Sequence, residues 1–316
     1  MERIQATVVK HTGSHYLLSR LPDWELFPAV IRGKVRLQKS SATNPVAVGD
    51  HVLCELPDGV SEESPAVIVE VLPRENYVIR KSTNLSREAH VIAANVDRAF
   101  IVVTLAFPEV KLPFLDRLLV TCEVYGIPAT IVLNKVDLLR EAGAEDMIES
   151  FKEIYEDAGY PVLETSATTG EGIEKLRACL ADGVNLLSGM SGVGKSSLIK
   201  ALDPSLDPRT AEISLAHLQG RHTTTFYEMY PLCSGGYIID TPGIRSFGLL
   251  ELEPEEIALY FPEMLRASRE CRFTPCTHTH EPGCAVKDAV DKGVISAERY
   301  NSYLGMLEEN TKYRKG

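Results

Sequence analysis

A glycine-rich segment of the chain has the composition and spacing of a phosphate-binding loop. Residues 189–196 read Gly-Met-Ser-Gly-Val-Gly-Lys-Ser, which fits the pattern G-x-x-x-x-G-K-[ST]. Backbone N–H groups of such a loop cradle a β-phosphate, and the helix that follows contributes its dipole. The alternative is a tight strand-to-helix turn with an exposed lysine. The predicted phosphate-binding residues are Gly189, Ser191, Gly192, Val193, Gly194, Lys195, Ser196 and Ser197.

Two of these residues have more specific predicted roles. We expect the Lys195 ammonium to reach the β- and γ-phosphate oxygens, and the Ser196 hydroxyl to bind Mg²⁺. The apolar run Val184–Ser188 predicts a strand that enters the loop, and Ser197–Leu202 predicts the helix behind it. This strand–loop–helix context is the one that the motif requires.

Two segments nearer the N-terminus predict that the base is guanine. In Asn134-Lys135-Val136-Asp137 the Asp137 carboxylate can accept hydrogen bonds from guanine N1–H and its exocyclic amine. Adenine offers no such pair of donors, and a buried carboxylate without partners is costly. Lys135 would pack over the ring, and Asn134 would steady the loop. In Thr165-Ser166-Ala167 a backbone N–H of Ser166 or Ala167 would meet guanine O6, although this tripeptide alone is common in surface loops.

The segment Asp240-Thr241-Pro242-Gly243 predicts how the metal and the γ-phosphate are held. Asp240 ends the apolar run Tyr237–Ile239, so its carboxylate would support the Mg²⁺ shell, and the N–H of Gly243 would contact the γ-phosphate. Ras-type enzymes orient the attacking water with a glutamine shortly after this glycine. Ile244 follows Gly243 here, with no glutamine nearby, so another residue or a partner must place the water.

The segment Gly220-Arg221-His222-Thr223-Thr224-Thr225 contains the residues that we expect to replace that glutamine. His222 is the predicted water-positioning residue, and the alternative is a solvated loop histidine. One of the three threonines should close over Mg²⁺ and the γ-phosphate, and we favour Thr224. His222 and Thr224 are therefore the predicted catalytic residues, with Ser196 and Thr224 as Mg²⁺ ligands.

The order of these segments is reversed relative to a Ras-type domain, because the base-reading half precedes the phosphate loop. The domain is therefore predicted to be circularly permuted. Permutation places the C-terminal part of the chain directly after the switch that follows Asp240. The predicted ligand is GTP, held with Mg²⁺.

A second cluster of chemically active residues predicts a metal site. Three thiols and one imidazole within fourteen residues suit a closed tetrahedral Zn²⁺ site, one per chain and structural, formed by Cys271, Cys276, His278 and Cys284. His280 is an alternative nitrogen ligand, and coincidental buried cysteines are the alternative interpretation. The other four cysteines are scattered in apolar contexts, and the odd total of 7 does not indicate a disulfide framework.

Composition and charge limit the class of protein, its location and the partners that it could bind. The 316 residues, 44% hydrophobic and 24% charged, are typical of a globular protein with two or three domains. No apolar leader or long apolar run occurs, so we expect a cytoplasmic protein without a membrane partner. The net charge is −11, but residues 1–90 are neutral and residues 266–316 carry +2. The two ends of the chain could therefore touch RNA, whereas the acidic centre would not.

The pattern of apolar runs and turns predicts three domains. Residues 1–75 contain five short β-rich runs, which favours an OB-fold β-barrel over an SH3-like barrel. Residues 76–250 alternate buried strands with helices and form the predicted α/β P-loop GTPase domain, circularly permuted. Residues 251–316 are the predicted zinc-binding, mostly helical domain. The strand runs are Ile4–Val9, His15–Leu18, Ala29–Leu37, His51–Leu56 and Ala66–Val71.

Together these motifs resemble the RsgA/YjeQ family of bacterial circularly permuted GTPases, which depend on the small ribosomal subunit. Residues 220–225, 240–243, the Cys/His spacing, residues 281–286 and Arg299-Tyr300-x-Ser302-Tyr303 carry the resemblance over the whole chain. It implies slow GTP hydrolysis to GDP, stimulated by the small subunit, with rRNA and ribosomal proteins as partners. It also implies that the family's catalytic histidine is His222. We further expect a monomer.

The implied function is a GTP-driven assembly factor that binds the small subunit in the GTP state and is released on hydrolysis. Two other classes remain open. One is a metallochaperone GTPase that hands metal to a client through the Cys/His cluster. The other is a non-enzymatic RNA-binding switch that uses the nucleotide only as a conformational ligand.

Overall fold

A five-stranded barrel begins the chain, in a computed structural model that describes residues 2–12, 15–31, 45–81, 89–206, 227–240 and 252–314. Its strand order is β1-β2-β3-β5-β4, and β4 pairs with β1 to close the barrel. This closed order, with β3 and β5 parallel, is that of an OB-fold, so the structure confirms the OB-fold over the SH3-like alternative. The strands are β1 (Glu2–Thr12), β2 (His15–Ser19), β3 (Leu26–Ile31), β4 (His51–Leu56) and β5 (Ala66–Val71).

Alternation explains why these short runs form a barrel. Side chains at every second position point inward, and Val8, Leu18, Val52 and Ile68 are completely buried. The third strand starts earlier than predicted, at Leu26, and the predicted residues 32–37 lie outside the described part of the chain.

A two-stranded antiparallel sheet, which was not predicted from the sequence, follows the barrel. It consists of β6 (Tyr77–Lys81) and β7 (Ala89–Ala94). Its two strands are short and lie just after the predicted domain boundary at residues 75 and 76. Only their apolar residues distinguish them in the sequence. Val78, Val91 and Ile92 are buried in the same core as the next sheet.

The centre of the molecule is a six-stranded sheet in the order β10-β9-β8-β11-β13-β12. Its first five strands are parallel, and β12 is antiparallel to β13. The apolar runs predicted as buried parallel strands are confirmed here. The strands are β8 (Arg98–Val103), β9 (Ala129–Asn134), β10 (Val162–Thr165), β11 (Val184–Gly189), β12 (Glu228–Pro231) and β13 (Tyr237–Asp240).

Helices cover both faces of this sheet. On β8, Ala99, Ile101 and Val103 pack in one core with α1 to α3, whereas Phe100 and Val102 pack in another with α4 and α5. The helices are α1 (Leu112–Val124), α2 (Val136–Glu141), α3 (Glu145–Ala158), α4 (Ile173–Cys179) and α5 (Lys195–Leu202). Successive residues of β8 therefore pack in opposite cores, as they must in a parallel sheet that is covered by helices on both faces.

The C-terminal region is mostly helical, as predicted, and the Cys/His segment lies between its helices. It contains α6 (Pro254–Ile257), a 3₁₀ turn (Ala258–Tyr260), α7 (Pro262–Ser268), α8 (Ala285–Asp291) and α9 (Ala297–Arg314). Its core includes Phe261, Met264 and Tyr303, together with Val120 from α1. The helix α1 therefore buries one face against the central sheet and another against this region. Within the described residues, no helix combines the length and apolar character needed to span a bilayer.

The barrel and the central sheet are joined through β1. Residue Lys10 of β1 pairs with Glu228 of β12, and their side chains form an ion pair of 2.9 Å between Nζ and Oε2. Trp24, in the turn before β3, stacks on Tyr237 of β13 with ring centroids 5.5 Å apart. Barrel and sheet therefore contact one another next to the strand that ends at Asp240.

Candidate functional site

The predicted nucleotide-binding segments meet at one edge of the central sheet. The strand β9 ends at Asn134, β10 at Thr165, β11 at Gly189 and β13 at Asp240. All four strands are parallel, so their carboxyl ends lie side by side, which is where open α/β sheets bind ligands. The reversed order along the chain is therefore compatible with an ordinary nucleotide site, because sheet order and not chain order sets these distances.

Glycine is required at two positions of the phosphate loop. At Gly189 the backbone φ is +152°, and a Cβ atom would lie 2.3 Å from the carbonyl oxygen of Val102 on β8. At Gly194 φ is +95°, and a Cβ atom would lie 2.5 Å from Nδ2 of Asn134. Any side chain at either position would push the loop away from the neighbouring strand.

The lysine of the loop is folded over its own turn. Lys195 is 9% exposed, and its Nζ donates hydrogen bonds to the carbonyl oxygens of Gly189 at 2.7 Å and Met190 at 3.0 Å. The helix α5 begins at this residue, so the ammonium and the first N–H groups of the helix lie at the same end. Together they form a positively polarised cradle that suits phosphate oxygens.

Asn134 connects the two halves of the site. Its Nδ2 donates to the carbonyl oxygen of Val193 at 2.9 Å, and its Oδ1 accepts from the hydroxyl of Thr165 at 3.2 Å. Asn134 and Thr165 are buried. One amide group thus ties the phosphate loop to the end of β10.

Lys135 is held by two carbonyl oxygens rather than left free in solvent. Its backbone has φ of +63°, and its Nζ donates to Gly192 O at 2.8 Å and to Phe107 O at 2.7 Å. The ammonium end of this side chain is therefore fixed at two points of the site. Phe107 was not predicted, because no motif marks a backbone carbonyl in the loop after β8.

The Asp137 carboxylate has the character expected of a base-reading group. Its Oδ1 is buried, and among the described residues it has no hydrogen-bond partner. A buried acceptor without a partner is costly in a folded protein, so a donor from a ligand fits here. The N–H of Ser166 donates to the Glu171 carbonyl at 2.9 Å. Of the two N–H groups expected to meet guanine O6, that of Ser166 is thus already engaged within the protein.

The predicted magnesium and catalytic residues divide into two groups. Ser196 follows Lys195 at the start of α5, and Asp240 ends β13, whose neighbour in the sheet is the phosphate-loop strand β11. Both therefore lie at the edge where the phosphates would sit. His222, Thr224 and Gly243 lie outside the described residues, so their predicted roles stay predictions.

The predicted metal ligands come together in the C-terminal region. The candidate ligand atoms of Cys271, Cys276, His278 and Cys284 all lie within 4.8 Å of one another. The Nδ1 atom of His278 lies 3.4 Å from the Sγ of Cys284 and 3.6 Å from that of Cys271. His280, the alternative ligand, lies outside this group, and its Nδ1 is 2.9 Å from the Thr279 hydroxyl.

The chemistry of this cluster fits a soft divalent cation. Burial, together with the neighbouring charges of Cys284 and Cys271, raises the pKa of Cys276 to about 12. Thiols so close together release their protons only when a cation offsets the accumulated charge, and zinc binds thiolates in this way. Four protein ligands also fill a tetrahedral shell, which is typical of a structural rather than a catalytic ion.

Two tyrosines of α9 hold the ligand loop. The hydroxyl of Tyr300 donates to the carbonyl oxygen of His278 at 2.5 Å, and that of Tyr303 donates to the carbonyl oxygen of Thr277 at 2.6 Å. His278 has φ of +54°, a strained backbone conformation that these two hydrogen bonds help to hold. The C-terminal helix therefore fixes the imidazole ligand from outside the cluster.

Comparison with known proteins identifies relatives that span the chain. Residues 71–250 match the family model described as RsgA GTPase. A Bacteroides fragilis protein named small ribosomal subunit biogenesis GTPase RsgA is 47% identical over 98% of this chain and 99% of its own length. A protein of the same name from Christiangramia forsetii is 45% identical over 98% of each chain.

Solved structures agree with these sequence matches. The crystal structure of YjeQ from Thermotoga maritima is similar with a TM-score of 0.78 and 34% identity, covering 98% of this chain and 99% of that one. YloQ, described as a circularly permuted GTPase, is similar with a TM-score of 0.74 and 28% identity, covering 99% and 96% of the two chains. The permuted arrangement expected from the motif order is therefore confirmed.

Proposed function

Because this chain belongs to the RsgA GTPase family, we propose that it is a GTP-hydrolysing assembly factor for late maturation of the small ribosomal subunit. The enzyme is thus a GTPase, and the proposal concerns its client. The observation that carries it is the 47% identity, over nearly the whole of both chains, to a protein named for small-subunit biogenesis. Barrel, GTPase domain and metal segment are all included in that match, so the parts that would contact a client are shared.

The nucleotide would be held at the sheet edge described above. Asp137 reads the guanine, the Lys135 stem supports its ring, and Ala167 donates its N–H to O6. The phosphate loop and Lys195 hold the β- and γ-phosphates, while Ser196, Thr224 and Asp240 support Mg²⁺. Bound Mg²⁺ would neutralise charge on the phosphates, and these residues would orient them for attack by water.

Hydrolysis would depend on two residues that lie between α5 and the C-terminal region in the sequence. His222 positions the water, and Gly243 contacts the γ-phosphate. The segment with His222 leads into β12, whose residue Glu228 pairs with Lys10 of the barrel. An effect of GTP on this segment would therefore reach the barrel directly, and loss of the γ-phosphate would weaken binding to the subunit and release the protein.

Contacts with rRNA and ribosomal proteins would come from the two ends of the chain. Near the metal cluster, Arg269 and Arg272 are exposed, and neither forms an ion pair within the described residues. Arginines without carboxylate partners are suited to phosphate contacts. Residues 91–265 carry a net charge of −13, so this part of the chain would lie away from the RNA.

The ion in the Cys/His cluster would be a structural Zn²⁺, one per chain. The side chains of His278 and Cys284 are each 3% exposed, so a client could not easily exchange a ligand for them. This burial favours a resident ion over delivery of metal to another protein. We further propose action as a monomer in the cytoplasm, with domains at residues 1–75, 76–250 and 251–316.

The proposal is tested by steady-state GTP hydrolysis with and without equimolar purified small ribosomal subunits, with large subunits as the control. We expect stimulation by small subunits only, of about 10³- to 10⁵-fold if the subunit orders a catalytic group as other activators do. Binding of GTP without stimulation would assign the enzyme to a different client.

The predicted role of His222 is tested by a separate variant. His222→Ala should remove stimulated turnover while the Kd for GTP stays within about twofold of wild type. The control is His280→Ala, a histidine next to the metal loop but outside the ligand group. Full turnover by His222→Ala would assign the water-positioning role to another residue.

A further inference from the structure

The loop after β8 presents an aromatic ring at the nucleotide site. Phe107 is 82% exposed, more than any other large apolar side chain in the described part of the chain. Its backbone φ is +48°, a left-handed conformation that costs free energy for a residue with a side chain. Backbone strain of this kind clusters at ligand-binding sites, where it pre-organises a contact.

The loop itself is rigid on the side that faces the sheet. The buried Thr104 donates its hydroxyl hydrogen to the carbonyl oxygen of Pro108 at 2.5 Å, and its own carbonyl accepts from the N–H of Val110 at 2.9 Å. A Cβ atom at Gly192 would lie 3.6 Å from Cδ of Pro108, so the loop rests against the phosphate loop. The position of Phe107 is thus set by contacts at both ends of a short turn.

The contact with Lys135 places Phe107 between the base and the phosphates. The Lys135 ammonium lies 2.7 Å from Phe107 O and 2.8 Å from Gly192 O. Asp137, which would read the base, follows Lys135 by two residues and so lies near the backbone end of that side chain. Gly192 belongs to the phosphate loop, so the ammonium end of Lys135 lies next to the predicted phosphate site. The part of a nucleotide that joins base to phosphates is the ribose, so the ribose would pass beside Phe107.

We propose that Phe107 is a nucleotide-binding residue, whose ring packs against the ribose of bound GTP and GDP, and whose carbonyl fixes the Lys135 ammonium. The inference rests on the proposed nucleotide site. The ring would shield one side of the sugar from water, and since the ribose is common to both nucleotides, it would stabilise GTP and GDP equally. An aromatic contact of this kind changes affinity by about two- to tenfold.

The test is isothermal titration calorimetry of unlabelled GDP and GTP with Phe107→Ala and Phe107→Tyr. We expect Phe107→Ala to raise both Kd values by the same factor, about two- to tenfold, and Phe107→Tyr to stay near wild type. The matched control is Phe273→Ala, an exposed phenylalanine between two candidate metal ligands, which should leave both values unchanged. Wild-type affinity in Phe107→Ala overturns the inference, whereas wild-type protein that binds no GDP overturns the nucleotide site instead.

Two further readouts locate the contact on the sugar. A methylanthraniloyl group on the ribose hydroxyls would meet the ring, so the affinity ratio of labelled to unlabelled GDP should change in Phe107→Ala. In a Trp24→Phe background, which removes the single tryptophan of the sequence, Phe107→Trp should change its emission when GDP binds. An unchanged ratio together with unchanged emission would place the ring away from the nucleotide.

Discussion

At the scale of single residues, the site is a set of polar groups that are already oriented by the protein. Asn134 joins the phosphate loop to the end of β10 through one amide, and Lys135 and Lys195 are each held by two carbonyl oxygens. Orientation of this kind lowers the entropy that a ligand must lose on binding. Asp137 differs, because its buried Oδ1 has no donor among the described residues and is therefore open to a donor from a ligand.

The role of Asp137 predicts a change of base specificity. In Asp137→Asn the amide can no longer accept two hydrogen bonds from guanine, so the Kd for GTP should rise about 10- to 100-fold. The same amide can donate to the 2-carbonyl of xanthine, so affinity for XTP should increase. Competition titrations with GTP and XTP measure both effects, with the exposed Asp146→Asn as control. Unchanged GTP affinity would mean that another residue reads the base.

Steric fit at Gly194 predicts a second residue-scale effect. Gly194→Ala places a Cβ atom 2.5 Å from Asn134 Nδ2 at a φ of +95°, so the loop must shift and GDP affinity should fall at least tenfold. Gly143→Ala, with φ of +64° and no atom within 4 Å of its Cβ, isolates the backbone term alone. That control should lose about 1 kcal/mol of stability and no affinity. Equal behaviour of the two variants in calorimetry would contradict the steric argument.

At the scale of elements, the site depends on where strands end. Five parallel strands bring Asn134, Thr165, Gly189 and Asp240 to one edge, while α5 supplies its N-terminus between them. The metal segment has no such framework. Its loop is held by the candidate ligands and by two tyrosines of α9, so its order should depend on the ion.

Loss of one ligand should therefore unfold the segment but not the nucleotide site. We expect Cys276→Ser to reduce bound zinc from one ion per chain towards none, measured by atomic absorption after gel filtration. Hydrogen exchange should accelerate in residues 271–284, while the Kd for GDP stays unchanged. Cys233→Ser, an exposed thiol outside the cluster, is the control. Full zinc content in Cys276→Ser would remove that residue from the ligand set.

At the scale of the whole molecule, a buried charge network joins the C-terminal region to the GTPase domain. Arg299 of α9 donates to Asp116 of α1 at 2.8 Å and to both carboxylate oxygens of Glu263 at 2.8 and 3.1 Å. The three side chains are at most 5% exposed. Burial raises the pKa of Asp116 and the Arg299 charge opposes that rise, so the pair is stable only while both members are present.

Removal of the cation should therefore be far more damaging than removal of a surface arginine. Arg299→Met leaves the carboxylates of Asp116 and Glu263 buried without a cation and should cost about 3–5 kcal/mol. Arg117→Met breaks the more exposed pair with Glu309 between the same two helices and should cost at most about 1 kcal/mol. Urea denaturation followed by circular dichroism compares the two variants. Similar midpoints would show that the network contributes little to domain docking.

Sequence alone determined the chemistry of this protein, because short motifs carry their own local geometry. The phosphate loop needs glycines at fixed positions, and a Cys/His cluster needs close ligands, so both are visible as spacing. The pattern of apolar runs and turns likewise predicted the barrel and the buried strands of the central sheet. Roles assigned to His222, Thr224 and Gly243 remain sequence predictions.

Tertiary structure alone decided which distant residues meet. The loop with Phe107 reaches Lys135 and Gly192 across 28 and 85 positions, and Arg299 reaches Asp116 across 183. Contacts through backbone carbonyls leave no residue type to recognise, and a buried charge pair joins helices with unrelated local patterns. The sheet order that brings the base-reading and phosphate-binding halves together depends on long-range strand pairing, which local propensity does not specify.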